Sequence, residues 1–529
     1  MRLAAVSFAF SLAALPVAAQ PAGLDAIFAG YGPDAPGCAV GVKQRGEAPV
    51  LRGFGSADLE HAVAITPDTV FEAGSVSKQF TAAAVLLLVE DGKLSLADDI
   101  RKYVPEMPDY GRPITVDMLL SHTSGLRDWG EVMALAGWPR TSRIYTHDEV
   151  LQIATRQKSL NYAPGEAYSY TNTGYSLAGI IVARLSGKSL ADFTRERIFL
   201  PLGMTHTSWR DDFRRIVPGR AIAYEREKSG AFVQDMPFEN TYGHGALLTT
   251  VGDLLVWNDA LTAGKLGGQV SARMAERATL TSGQKIAYAR GLRVQQHQAT
   301  DEIAHSGSTA GYGAWLARYP AQQLSVAVLC NRGDANPTAI GRKAADAFLK
   351  PLGAPAIVRE TWREDLASVP GLYVDERTGG VLRILAEGPM LRIAAGPPLT
   401  VGGKPGAYSA GDAAFAFTPG GAVRTTGAGE STSFRKVEPA TPTAEALSAL
   451  AGTYASDEAG AVLRVTAREG GLALAPSDRP SRPMIATPLY ADAFRVDGGL
   501  VRVIRGADGR AVALRFTGSR VYAMDFQRR

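Results

Sequence analysis

Phe71-Glu72-Ala73-Gly74-Ser75-Val76-Ser77-Lys78-Gln79-Phe80 runs directly into an uncharged apolar stretch, residues 81–89. The stretch is rich in Ala and Leu and is closed by Asp91-Gly92, a stop signal whose glycine takes a left-handed cap. It is helix-length but too short to cross a bilayer, which predicts a helix buried in a globular core. Ser75 then stands at the helix N-terminus, with Lys78 one turn on and on the same face. A serine hydroxyl is a poor nucleophile until a base takes its proton. An amine three residues along is within reach, and burial among apolar side chains pushes a lysine toward its neutral, basic form. The free N–H groups of the first turn favour the negative charge that develops during attack. S-x-x-K is also a common string on capped surface helices, so its meaning depends on what lies downstream.

The chain around it has ordinary globular composition: 529 residues, 46% hydrophobic and 20% charged. That length predicts two to four domains. A net charge of +4 carries no nucleic-acid or membrane footprint. Residues 1–19 differ: Arg2 precedes an apolar segment, and Val17-Ala18-Ala19 offers small residues for cleavage before Gln20. This reads as a secretory signal peptide, implying a secreted or periplasmic protein. No second segment is apolar enough to predict a membrane span in the mature chain. Cys38 and Cys330 each sit in an apolar, strand-like run; two buried thiols are the default, and a single disulfide stays open. Seven scattered histidines with no Cys/His cluster at ligand spacing indicate no metal site.

Taken in order, the chain predicts strands at 39–44 and 50–56, the nucleophile helix, and a short irregular helical stretch at 94–103. A helix entering Ser121-His122-Thr123-Ser124-Gly125-Leu126 ends in a polar turn of the kind that lines pockets. Helices are predicted at 147–157 and 175–185, the second just after Tyr170-Thr171-Asn172. Gly187-Lys188-Ser189 lacks the first glycine of a phosphate loop, which would fall at Val182. Tyr242-Gly243-His244-Gly245 precedes a helix at 251–261. Strands follow at 313–319 and 324–329, just after His305-Ser306-Gly307-Ser308, and a helix at 337–349 closes the unit. Beyond it the composition shifts to Gly, Ala and Pro with short alternating runs. Pro370-Gly371-Leu372-Tyr373 is echoed by Ala451-Gly452-Thr453-Tyr454, and Val381-Leu382-Arg383-Ile384 by Val462-Leu463-Arg464-Val465, at one constant offset. Two copies of a small alternating unit predict paired antiparallel barrels, with 438–446 as the linker between them.

Ser75-x-x-Lys78, Tyr170-x-Asn172 and His305-x-Gly307, in that order, resemble the penicillin-recognising serine hydrolases, most of all the class C β-lactamase and D-aminopeptidase branch. The resemblance covers roughly residues 35–350 and extends to Ser121–Asp128 and Gly243-His244-Gly245. It implies an α/β (α+β) catalytic domain, an antiparallel sheet between helices, followed by two small antiparallel β-barrels. The expected layout is a signal peptide at 1–19, the hydrolase domain at 20–352, and barrels at 360–439 and 445–529. By resemblance Ser75 is the acylated nucleophile, and Lys78 and Tyr170 share proton transfer. Asn172 holds Lys78 and the substrate amide, and the backbone N–H groups of Ser75 and Ser308 make the oxyanion hole. His305 and Gly307 line the substrate strand. His122, Arg127, Asp128 and His244 are candidate pocket residues, since loops carry function more often than cores.

The third motif departs from the β-lactamases, which have lysine where this chain has His305. With an ordinary pKa of about 6.5, histidine holds little charge near neutrality. That argues against a dedicated β-lactamase and fits the D-aminopeptidase and esterase branches. In the D-aminopeptidases the last barrel sends a loop to the site, where an acidic residue meets the substrate's free amine. The corresponding loop here is expected at 475–483 with Asp478 as the acid, flanked by Arg479 and Arg482. The reading is an exported serine hydrolase acting through an acyl-enzyme on short D-amino-acid-containing peptides or amides. The alternatives are an esterase, weak β-lactamase or D-Ala-D-Ala carboxypeptidase with the same residues, or a non-catalytic wall-binding protein. An α/β-hydrolase is excluded by the lack of a G-x-S-x-G string. No cofactor and no nucleic-acid partner is implied, and oligomeric state is left open.

Overall fold

The computed structural model describes residues 23–349 and 368–529, apart from positions 141, 268, 389, 395, 403, 405, 411–412 and 427–430. The signal peptide expected at 1–19 lies outside the described residues.

Period-2 alternation builds the central sheet of the first unit. Val326, Val328 and Cys330 join one apolar cluster and Ala327 and Leu329 another, because successive side chains of a strand leave opposite faces. The sheet has six antiparallel strands in the order Arg293–His297, Thr300–Thr309, Tyr312–Tyr319, Leu324–Cys330, Cys38–Gln44, Val50–Phe54. Helix Pro337–Asp346 covers one face through Ile340, Ala344 and Ala345. Helices Lys78–Glu90, Asn172–Ser186 and Val251–Thr262 cover the other. The resemblance implied this layered arrangement, and the structure has it. Lys78–Glu90 is buried from Lys78 through Leu88, so a helix apolar all round sits at the centre of the unit rather than on its surface.

Three local readings are corrected. Ser75 lies in a 3-10 turn, Gly74–Ser77, and the α-helix proper begins at Lys78. Helix Asn172–Ser186 starts earlier than 175, capped by the Thr171 side chain on the Thr173 N–H. Cys38 and Cys330 are buried but are not thiols. They oppose each other in register on adjacent strands and form a disulfide across a separation of 292 residues. Sequence alone does not reveal that register, which is set by the whole sheet.

The tail holds two eight-stranded antiparallel sheets. The second closes into a barrel from Gly452–Ser456 to Met524–Arg528. The first is nearly closed: its end strands approach where the Leu399 N–H donates to the Leu391 carbonyl, 2.8 Å. The internal echo survives as contacts. Tyr373 Oη donates to the Val369 carbonyl at 2.7 Å, and Tyr454 Oη to the Leu450 carbonyl at 3.0 Å. The stretch expected to link the copies contains the start of a short helix, Ala444–Ser448. The closed barrel shares an apolar core with the first unit: Trp129, Val132, Met133 and Ile153 pack with Leu463, Leu472, Phe516 and Phe526. That shared core holds the barrel against the loops that carry the sequence motifs. Among the described residues no helix is long and apolar enough to cross a membrane.

Candidate active site

The serine turn is pressed against the edge of the Thr300–Thr309 strand. Gly74 has φ +49, and a Cβ there would lie 2.5 Å from the Ser308 nitrogen. A Cβ on Gly307 would lie 2.0 Å from the Ala73 oxygen and 3.0 Å from the Ser75 nitrogen. Both glycines are required by this approach, because no side chain fits between two backbones in contact. The approach sets the Ser75 and Ser308 amides side by side, as an oxyanion hole requires. The turn is fixed from behind: the Ala73 N–H donates to the Leu247 carbonyl, 2.8 Å, and the Leu247 N–H to Ser77 Oγ, 3.0 Å.

Lys78 is fully buried, its amine 3.1 Å from Ser75 Oγ, 2.9 Å from Asn172 Oδ1 and 2.5 Å from the His244 carbonyl oxygen. Burial pushes the amine well below the usual lysine range; Arg520 and Arg140 push the same way, and Asp128 opposes them. A neutral amine has two N–H bonds and one lone pair. The Asn172 and His244 oxygens only accept, so they take the two N–H bonds and the lone pair is left for the Ser75 hydroxyl.

Asn172 is held in turn. Its N–H donates to Asp128 Oδ2 at 2.6 Å, while Asp128 Oδ1 caps helix Trp129–Leu135 through the Gly130 and Glu131 N–H groups. Tyr170 lies just before helix Asn172–Ser186, with its ring 4.8 Å from the Lys78 nitrogen and its buried hydroxyl without a hydrogen-bond partner of ordinary geometry. Burial raises its phenol above the ordinary range; the nearby Ser75 hydroxyl and Arg520 lower it only in part.

His305 is 3% exposed. Its Nδ1 lies 2.6 Å from the Ser306 carbonyl and its Nε2 2.9 Å from Tyr288 Oη. The carbonyl only accepts, so Nδ1 carries the proton and Nε2 accepts from Tyr288. Burial, with Lys78 adding to it, lowers His305 to about 3, so this position holds no charge near neutrality. His122 and His244 are likewise buried and pushed well below the usual range, burial being the first cause. His122 accepts from the Thr171 N–H at 3.2 Å and packs on Tyr170, ring centroids 4.2 Å apart. It positions the residues before the Asn172 helix.

These three histidines make a pH prediction. In the unfolded chain each protonates below about 6.5, whereas in the folded chain each stays neutral to a lower pH, so stability is lost as pH falls. Stability should therefore fall between about pH 7.5 and about pH 5.5, by on the order of 1 kcal/mol for the His305 imidazole, with His122 and His244 acting in the same direction. Denaturant unfolding at the two pH values reads it, and His305→Gln should make the difference smaller. An unchanged difference in that variant would contradict the buried neutral imidazole.

The structure thus gathers Ser75, Lys78, Tyr170, Asn172, His305, Gly307 and Ser308. It does not bring Asp478 to them: Asp478 is exposed, and its loop docks elsewhere. Arg479 stacks on Trp138, 4.7 Å, and its Nη1 donates to the Gly137 carbonyl, 3.2 Å. The last barrel reaches the site by a different loop, residues 519–523. The Arg520 guanidinium carbon lies 4.9 Å from the Tyr170 ring centroid. No local pattern marks Arg520 or Tyr288, and only the folded chain reveals them. Among the described residues Asp58, Glu60 and His61 could together ligate a cation, but none of the three is buried.

Comparison with known proteins gives a consistent picture. The beta-lactamase family matches residues 24–349. Penicillin-binding protein 4* of Bacillus subtilis (strain 168) is 30% identical over 295 residues, 53% of this chain and 64% of that protein. The D-aminopeptidase of Gluconobacter oxydans (strain 621H) is 28% identical over 351 residues, 66% of this chain and 65% of that protein. The chain therefore spans just under two thirds of the length of these relatives. Among solved structures, the octameric penicillin-binding protein homologue from Pyrococcus abyssi aligns over 95% of this chain and 97% of its own, with a TM-score of 0.55 and 22% identity. The D-amino acid amidase from Ochrobactrum anthropi SV3, solved with L-phenylalanine amide, aligns over 61% of this chain and 95% of its own, with a TM-score of 0.52 and 24% identity. At these identities the two structures speak for the fold.

Proposed function

The chain belongs to the beta-lactamase family, and on that premise we propose that it is a serine hydrolase acting on amide bonds of short D-amino-acid-containing peptides or amides through an acyl-enzyme. The observation that carries this reading is the buried amine of Lys78, whose N–H bonds are spent on Asn172 and His244 and whose lone pair faces Ser75. In the proposed reaction Ser75 Oγ attacks the amide carbon as its proton passes to Lys78 Nζ. The carbonyl oxygen gains its negative charge against the Ser75 and Ser308 N–H groups. The C–N bond breaks as the leaving nitrogen takes a proton through Tyr170, and water releases the acyl group by the reverse path. Burial keeps Tyr170 protonated, which supports a relay role rather than a standing phenolate. The D-aminopeptidase among the similar proteins supports an amide of a D-amino acid as the substrate class.

Secretion belongs to the same proposal. It rests on residues 1–19, and the Cys38–Cys330 disulfide supports it, since such bonds persist in oxidising compartments.

The test is release of p-nitroaniline from D-alanine p-nitroanilide and N-acetyl-D-alanine p-nitroanilide, each beside its L-isomer. D-selective turnover of either is expected. Equal turnover of the isomers, or faster cleavage of simple p-nitrophenyl esters with no amide cleaved, would overturn the amidase reading and favour an esterase.

A further inference from the structure

We propose that Arg520, on the closed barrel, is a specificity-determining residue that receives a substrate carboxylate, so that the preferred substrates are D-peptides bearing a negative charge rather than free-amine amides. This rests on the serine-hydrolase reading above and names its substrate class.

The loop that carries Arg520 is fixed on both sides. Ser519 Oγ and the Arg520 N–H donate to the two carboxylate oxygens of Glu131, at 2.6 and 2.9 Å. The Arg520 carbonyl accepts from the Asp128 N–H, 3.1 Å, and from Asn161 Nδ2, 3.0 Å. The Tyr522 N–H donates to Asn161 Oδ1, 2.8 Å, and the Tyr522 carbonyl accepts from buried Arg127, 3.2 Å. A loop held at this many points presents its side chain at a defined place.

The guanidinium lies over Tyr170, and its side chain remains 37% exposed. Its nearest carboxylate, Asp128 Oδ2, is 3.9 Å away and already accepts from the Asn172 N–H, so no bidentate partner occupies the guanidinium edge. A guanidinium stacked on an aromatic ring keeps its in-plane donors for a planar anion. The motif position that would otherwise supply a cation holds neutral His305, and Lys78 is itself depressed. Arg140, also near Lys78, is paired bidentately with Glu239, and Arg293 Nη1 lies 3.4 Å from Tyr168 Oη. A cavity of about 590 Å³ opens between the first unit and both barrels, with Ser519 and Tyr522 in its wall on either side of Arg520. Its charged lining is Arg377 and Arg424 against the single carboxylate of Glu166, so the cavity beside the Arg520 loop is net positive. A substrate α-ammonium would meet repulsion here.

The experiment compares kcat/KM ratios, which cancel any general loss from disturbing Tyr170. One pair is N-succinyl- against N-acetyl-D-alanine p-nitroanilide, a charge on the acyl side. The other is N-acetyl-D-alanyl-D-alanine against its C-terminal amide, a charge on the leaving side. In wild type the charged member of one pair should be preferred. Arg520→Ala should reduce that preference about tenfold and Arg520→Glu should reverse it, while Arg520→Lys retains part of it. Unchanged ratios in both pairs for Arg520→Glu would overturn the assignment, even with D-amide turnover intact. If wild type cleaves no amide, the proposed function falls. The rates at which benzylpenicillin and its methyl ester acylate the protein, read by intact mass, then decide Arg520 by the same ratio. A chain that is neither active nor acylated overturns both.

Discussion

Ser75→Ala is expected to lower D-amide turnover by on the order of 10⁵-fold and to abolish covalent labelling by a fluorescent penicillin, with the fold intact. The residue sits in a turn held by its neighbours and not by its own side chain: the Ala73 N–H donates to the Leu247 carbonyl, and Ser77 Oγ donates to the Gly74 carbonyl and accepts from the Leu247 N–H. Deleting one partly buried hydroxyl removes a single hydrogen bond, to Lys78, a change of about 1 kcal/mol. The melting transition of the variant should therefore stay close to that of wild type. Lys78→Met should lose activity to a similar degree, because the serine then has no base. The double variant should be no worse than Ser75→Ala alone, since groups that act as one unit do not contribute additively. Substantial turnover in Ser75→Ala would remove the nucleophile from the mechanism. A double variant far below either single one would show that Lys78 acts apart from Ser75.

Most of this site was legible before folding, because its chemistry is local at each motif. Ser75 and Lys78 are three residues apart, and the apolar run behind them announces the burial that depresses the amine. The strands at 324–329 and 39–44 were visible through alternation that the two faces of the sheet use directly. The strand carrying His305 is expected from the resemblance and not from alternation. Its polar run from Asp301 to Ser308 masks the pattern, and its inner positions are occupied by Glu302, paired with Arg342, and His305, bonded to Tyr288. The disulfide required the register of strands 292 residues apart. Asp478 was placed by analogy with a loop in related enzymes. In this chain that loop turns to Gly137 and Trp138, and the 519–523 loop takes the place beside Tyr170. Contacts made across two units leave no periodic signal in either one.

Gly307→Ala should damage the site severely for a change of one carbon. The added Cβ would stand 2.0 Å from the Ala73 oxygen and 3.0 Å from the Ser75 nitrogen, and both are backbone atoms. Neither side can yield without consequence. Gly307 is paired with Ala314 inside the sheet, next to a strand buried along its whole length. The Ala73 carbonyl accepts from the Val76 N–H, 3.1 Å, and so closes the serine turn. Relief of the clash must push the turn off the strand, separating the Ser75 and Ser308 amides and moving Oγ relative to Lys78. A displacement of about 1 Å at a reacting group costs on the order of 10²-fold, and the loss of oxyanion contacts adds to it. The expected result is a fall in kcat/KM of at least 10²-fold with a stability loss of about 1–3 kcal/mol. Gly245→Ala is the control: it lies in the neighbouring glycine turn, and its Cβ would meet nothing nearer than the Gly74 oxygen at 4.0 Å. That variant should keep kcat/KM within a few-fold of wild type. Wild-type activity in Gly307→Ala, measured on the same D-amide, would show that the strand and the serine turn do not act as one rigid oxyanion site.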